Sequence, residues 1–156
     1  MSGETTPRAG HDARRASGTG PVLFLDQRFD ARTLYQLRAA LSAHVAELGV
    51  PVQQANDILI AVHELASNAV RHGEGHGRLR GWTDGRTVIC TVIDGDLPVD
   101  LTYPAEVFDE PAAPANPPWP VLEGHGLWLV NQVADHLFVN CDDGTVMATV
   151  SFTTRR

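Results

Sequence analysis

The chain has little of what would place it quickly. Cysteine is sparse: Cys90 and Cys141 are the two in 156 residues, with no C-x-x-C spacing. That excludes a disulfide framework and a cysteine-built metal site, and both read as small core or near-core residues in strand-like sequence. No apolar run is long enough to span a bilayer, and the N-terminus lacks the hydrophobic stretch of a signal peptide. The expectation is a cytoplasmic protein with no membrane association. Positive charge is also short, with 12 Lys and Arg against 19 Asp and Glu and a net charge of -7. Direct nucleic-acid binding asks for a basic face and is not expected. G-K-[ST] is absent, which excludes a Walker P-loop. HELASNAVRHG (63–73) opens like a zinc-protease signature, but Ser67 stands where the second histidine must be.

What is present is an ordinary globular composition, 43% hydrophobic and 20% charged, in a length suited to one domain. Residues 1–20 are rich in Gly, Ser, Thr and Arg and read as a flexible tail, so the folded domain is expected over 21–156. VLFLDQRF (22–29) is strand-like. Asp30 is placed to cap a helix on Leu34, Leu37, Leu41, Val45 and Leu48, which Gly49 ends. A second helix starts near Pro51, its stripe running through Val52, Ala55, Leu59, Val62, Ala66 and Ala69, until Gly73, Gly75 and Gly77 break it. Residues 78–82 and 86–94 read as a hairpin turning at Asp84-Gly85. Six of ten prolines fall between 104 and 120, which marks a long irregular segment. A helix over 124–135 and a terminal hairpin, 137–140 with 145–152, complete the order. The sequence therefore predicts an α+β fold, a two-layer α/β sandwich with a mixed, mostly antiparallel sheet and helices on one face.

Three places carry groups suited to chemistry. Glu64 and Asn68 lie one helical turn apart, offset by roughly 40° around the axis. The carboxylate could take a proton from a nucleophile, and the amide oxygen is a hard ligand of the kind Mg²⁺ accepts; the pair is equally a solvated polar edge. Asp94 ends an apolar strand, where it is either a turn-former or a carboxylate aimed into a pocket to accept from an exocyclic amine. Gly124-His125-Gly126-Leu127 opens a helix, leaving free N–H groups and a positive dipole end that suit phosphate; the alternative is a flexible loop exit.

Taken in this order, the motifs resemble the ATPase superfamily of gyrase B, histidine kinases and mismatch-repair ATPases, the Bergerat or GHKL fold. The chain is most similar to the small bacterial anti-sigma factor serine/threonine kinases, over roughly residues 22–153. HELASNAVRHG matches the N box, which implies Glu64 as general base and Asn68 as Mg²⁺ ligand at the nucleotide. VIDGD matches the first glycine box and implies that Asp94 binds the adenine amino group. GHGLWLV matches the second glycine box, which implies that the backbone at Gly124, His125, Gly126 and Leu127 holds the phosphates beneath a proline-rich ATP lid at about 96–123. Thr145 sits where the family often has a threonine near the adenine. The resemblance implies ATP and Mg²⁺ as cofactors, a serine/threonine on an anti-sigma factor antagonist as substrate, a sigma factor as a further partner, and a homodimer. The first glycine box departs from D-x-G-x-G at Asp96 and Pro98, and His125 stands where actinobacterial relatives often have arginine. The leading expectation is the kinase; the altered first glycine box motivates an alternative function, a non-catalytic ATP-dependent module that binds and regulates a partner protein.

Overall fold

The structure is a computed structural model that describes residues 20–96, 125–142 and 145–154. The expected tail and lid fall outside the described residues apart from Gly20 and Asp96, as do Gly124 and the turn residues 143 and 144. The elements follow the expected order: β1 (Val22–Asp30), α1 (Leu34–Glu47), α2 (Val52–His72), β2 (His76–Thr83), β3 (Thr87–Asp94), α3 (His125–Val133), β4 (His136–Asp142) and β5 (Thr145–Thr153). The strands form one sheet in the order β1-β2-β3-β5-β4. Every neighbouring pair is antiparallel, so the expected mixed component is missing among the described strands.

Strand alternation decides where the helices go. Leu25 and Phe29 of β1, Leu79 of β2, Val88, Cys90 and Val92 of β3, Val139 of β4, and Val146, Ala148, Val150 and Phe152 of β5 all join one core cluster with residues of the three helices. The alternation expected for the last strand is therefore the one that faces the helices. Cys90 is fully buried there, and burial pushes its thiol up to about 12, which makes it an inert packing residue. The opposite face holds a smaller cluster of Trp82, Ile89 and Phe138, with the Thr91 and Thr149 hydroxyls 3.0 Å apart. No described helix is long and apolar enough to cross a membrane.

α2 is the central helix, touching α1, α3, β2, β3 and β5. Its buried stripe is Ile58, Ala61, Val62, Leu65, Ala66 and Ala69. Three alanines in that stripe let the helix approach the sheet closely, where larger side chains would hold it off. Val52, expected in the stripe, is 79% exposed because it lies about 180° around the helix from Ala61; the buried face of that turn is taken by Gln54, 4% exposed, whose Nε2 donates to the Thr153 carbonyl at 2.7 Å.

Local turns correct three further expectations. Asp30 is not the N-cap of α1; Thr33 holds that position, and Asp30 closes the turn before it. The Asp30 carboxylate accepts hydrogen bonds from the backbone N–H groups of Arg32 (2.9 Å) and Thr33 (3.1 Å), and those bonds hold its pKa below the ordinary carboxylate range. Pro51 is the N-cap residue of α2, one position earlier than a first-turn residue. In the β2–β3 hairpin the Asp84 N–H donates to the Thr87 carbonyl, so Gly85 and Arg86 are the central pair, not Asp84 and Gly85. Gly85 has φ 94°, a conformation that the first central position of a II′ turn requires and that glycine takes without strain.

Candidate functional site

The candidate site is built where the C-terminal half of α2 meets the end of β3. α2 turns about 100° per residue, so Asn68 projects within roughly 20° of Ala61, the middle of the buried stripe. Asn68 is accordingly 5% exposed. Its side-chain amide has no hydrogen-bond partner among the described residues. An unsatisfied buried amide costs about 1–3 kcal/mol, so its retention points to a ligand that completes it. Glu64 lies some 60° from Ala61 around the helix, on the rim of that stripe, and is half-buried. The pair thus spans the boundary between packed interior and solvent, with the amide inside and the carboxylate at the opening.

The chain leaves α2 through Gly73, which lies directly against Asp94, a residue 7% exposed at the end of β3. The Glu74 N–H donates to Asp94 Oδ1 at 2.8 Å, so one carboxylate oxygen is fixed by the backbone. A Cβ at position 73 would fall on all three carboxylate atoms, Cγ, Oδ1 and Oδ2. Gly73 has φ −107°, outside the left-handed region, and the close approach of the carboxylate is what asks for glycine here. The sequence marks Gly73 as a helix breaker and carries no signal of this role, because Asp94 is its neighbour only in space. Gly73→Ala should push the Asp94 carboxylate aside with little loss of fold. The expected result is a tenfold or greater weakening of nucleotide binding, read by calorimetry, with circular dichroism unchanged.

The other expected site residues approach the same end of the fold. Ile93 pairs with Met147, so the start of β5 lies beside the end of β3 and Thr145 is near the Asp94 end of the sheet. His125, Gly126 and Leu127 form the first turn of α3, which packs against α2, while Gly124 lies outside the described residues. His63 points away from this centre, with Nε2 3.4 Å from Ser67 Oγ. Asp96, standing where a glycine box would have glycine, is 94% exposed and sits 3.4 Å from His76 Nε2, on a side of the turn that the Asp94 carboxylate does not share. Gly95 between them has φ 84° and donates its N–H to the His76 carbonyl at 2.8 Å, the bond that turns the chain at this point.

These residues fit a nucleotide with its metal. A buried, unpartnered amide offers one hard oxygen, the donor set Mg²⁺ takes when phosphates and water supply the rest. A backbone-fixed carboxylate at the end of an apolar strand offers an acceptor for an exocyclic amine.

Comparison with known proteins agrees with the fold. A family model described as the histidine kinase-like ATPase domain matches residues 28–153. Among solved structures, a crystal structure of the RsbU and RsbW domains of Rv1364c from Mycobacterium tuberculosis superposes with a TM-score of 0.60 at 20% identity. The match covers 88% of this chain and 33% of that one, so the chain spans about a third of that polypeptide, and the likeness is one of fold. No curated protein sequence matches the chain. With the family match running from the end of β1 through β5 and covering all three helices, the chain belongs to the histidine kinase-like ATPase domain family, with the α+β Bergerat architecture of the GHKL superfamily.

Proposed function

We propose that the protein is an ATP- and Mg²⁺-binding anti-sigma regulatory factor that phosphorylates a serine or threonine of an antagonist protein and, in another state, holds a sigma factor. The observation that carries the nucleotide half of this reading is the buried Asn68 amide, without a partner among the described residues, one turn along the helix from Glu64. Asn68 holds the metal through its amide oxygen, and Asp94 accepts from the adenine amino group through the oxygen that Glu74 leaves free. The first turn of α3 faces the phosphates with its unpaired N–H groups and positive dipole end. When bound, Mg²⁺-ATP supplies the transferable γ-phosphoryl group and the charge that neutralises its oxygens.

The transfer then asks one thing of the chain. The Glu64 carboxylate accepts the proton of the incoming hydroxyl while that oxygen bonds to the γ-phosphorus and the bond from phosphorus to the β,γ-bridging oxygen breaks. ADP leaves with the electron pair. Glu64 stands at the rim of the packed interior, half-exposed, where a hydroxyl carried by another protein reaches it.

The test begins with wild-type protein, since the expected result is ATP binding by calorimetry that requires Mg²⁺. Label should then pass from γ-labelled ATP to a serine or threonine of a candidate antagonist. ATP binding with no transfer to any such protein supports the non-catalytic module, which the exposed Asp96 in the first glycine box favours. No binding with or without Mg²⁺ overturns both.

A further inference from the structure

A second feature lies at the same end of the sheet but outside the Asn68–Asp94 site. A cavity of about 360 Å³ opens between the ends of β1 and β2 and the turn after β3, lined by Arg28, Asp30, Thr33, His76, Arg78 and Asp96 among others. Asp94, Gly73 and Asn68 do not line it.

The charges around the cleft are poorly matched in the free protein. Asp26, Arg28, Arg78 and Arg80 project from the sheet face opposite the helices, in rows set by the pairing of Asp26 with Arg80 and Arg28 with Arg78. Asp26 holds two of the three arginines: Arg78 Nε donates to Oδ1 at 2.6 Å and Arg80 Nε to Oδ2 at 3.2 Å. Arg28 has no hydrogen bond or ion pair among the described residues, yet it stands directly across the ladder from Arg78. Like charges in directly opposed positions destabilise a sheet. Three guanidinium groups against the Asp26 carboxylate leave this row of the sheet locally positive, in a chain whose net charge is -7, while the cleft at its end also carries Asp30 and Asp96. Neither carboxylate in the cleft forms an ion pair with Arg28 among the described residues: Asp30 accepts from the N–H groups of Arg32 and Thr33, and Asp96 lies against His76.

An independent observation says what shape of ligand fits. β1 is an edge strand: among the described residues it pairs with β2 alone. Its only irregularity is the register shift between Leu23 and Leu25, which leaves Leu25–Asp30 in regular register. Such an edge presents alternate N–H and C=O groups to any extended chain laid beside it. Val22 and Leu23, at the start of the strand, are 61% and 44% exposed and add apolar surface to the same edge. A strand added there puts every second side chain on the arginine face, and the one opposite Arg28 lies within reach of its guanidinium fork, which matches a carboxylate bidentately.

We infer that the β1 edge and the cleft at its end form a docking site for an extended acidic segment of a partner protein, with a carboxylate of that segment paired to Arg28. The site is separate from the nucleotide and does not depend on the phosphotransfer reading.

The probe is a fluorescein-labelled octapeptide of alternating threonine and glutamate, with the threonine–glutamine peptide as its neutral counterpart and the full chain as receptor. The glutamate peptide should bind by anisotropy at least tenfold more tightly than the glutamine one. Arg28→Glu and Arg28→Gln should each cost tenfold or more while melting as wild type does, and β1 amides should gain protection from hydrogen exchange. The exposed Arg38→Glu on α1 should change nothing. Equal binding of the two peptides, no effect of either Arg28 variant, or no added protection in β1 overturns the site. Displacement by inorganic phosphate at concentrations equal to the peptide's overturns the extended-segment part in favour of a free-anion site. If the Arg28 variants lose ATP binding as well, the cleft belongs to the nucleotide site and the inference fails.

Discussion

Asn68→Ala should abolish Mg²⁺-dependent ATP binding and leave the fold as stable as the wild type or slightly more so. The two effects have separate origins. On the stability side, the Asn68 amide is 5% exposed and unpartnered among the described residues, so the folded protein carries its desolvation without compensation. Alanine removes that penalty of about 1–3 kcal/mol. It gives back part of the gain through lost packing, because the side chain that alanine truncates is buried. The balance is near zero or favourable, and alanine also has the better helix propensity. On the binding side, the metal loses its only amide ligand from the helix, and Mg²⁺ has few protein ligands to fall back on. Calorimetry with and without Mg²⁺, paired with thermal melting, reads both. A variant that binds Mg²⁺-ATP as well as the wild type would remove Asn68 as the metal ligand. One that melts far below it would show the amide to be structural.

This opposition between stability and binding is what a site looks like when a chain keeps a locally unfavourable residue for a ligand. Sequence could supply half of that conclusion. The spacing of Glu64 and Asn68 placed both on neighbouring faces of one helix, and the two flanking glycine motifs gave them a context. The absence of a partner for Asn68 lay beyond reach, since it depends on what the packed elements leave around the amide. Gly73 shows the same limit. Its neighbour in space, Asp94, is separated from it by the whole β2–β3 hairpin, and no local rule links a helix-ending glycine to a carboxylate across such a distance.

Elsewhere the boundary between legible and illegible follows the range of the interaction. The alternation of β5 and the helical periods of α1 and α2 are local patterns, and each element is where those patterns put it. The centre of the β2–β3 turn moved by one residue, because Asp84-Gly85 and Gly85-Arg86 are both acceptable turn pairs and only the Asp84–Thr87 hydrogen bond selects between them. In its first turn the buried face of α2 carries Gln54 and not Val52, because the Thr153 carbonyl at the end of β5 gives the amide a partner, and that is a property of the sheet and not of the helix. Arg28 carried no signal at all in the sequence. Its significance comes from standing opposite Arg78 while Asp26 is occupied, a fact of register.

Glu64→Gln is expected to lower phosphotransfer by roughly 10²–10⁴-fold, the range that general-base catalysis contributes, with ATP affinity within about threefold of wild type. Glutamine keeps the size and shape of the side chain but cannot accept the proton of the incoming hydroxyl. Asn68, one turn further along α2, and Asp94, fixed by the Glu74 N–H, are untouched by the change, so nucleotide binding should persist. Single-turnover transfer from labelled ATP to the antagonist, with calorimetry on the same preparation, separates the two quantities. Parallel loss of binding and transfer would make Glu64 a binding residue. Equal transfer rates in the two proteins would remove it as the base. The half-exposed position of Glu64 favours loss of transfer with binding retained: a base that serves a hydroxyl on another protein must stand where that protein can reach it, while the Asn68 amide, one turn along, stays buried.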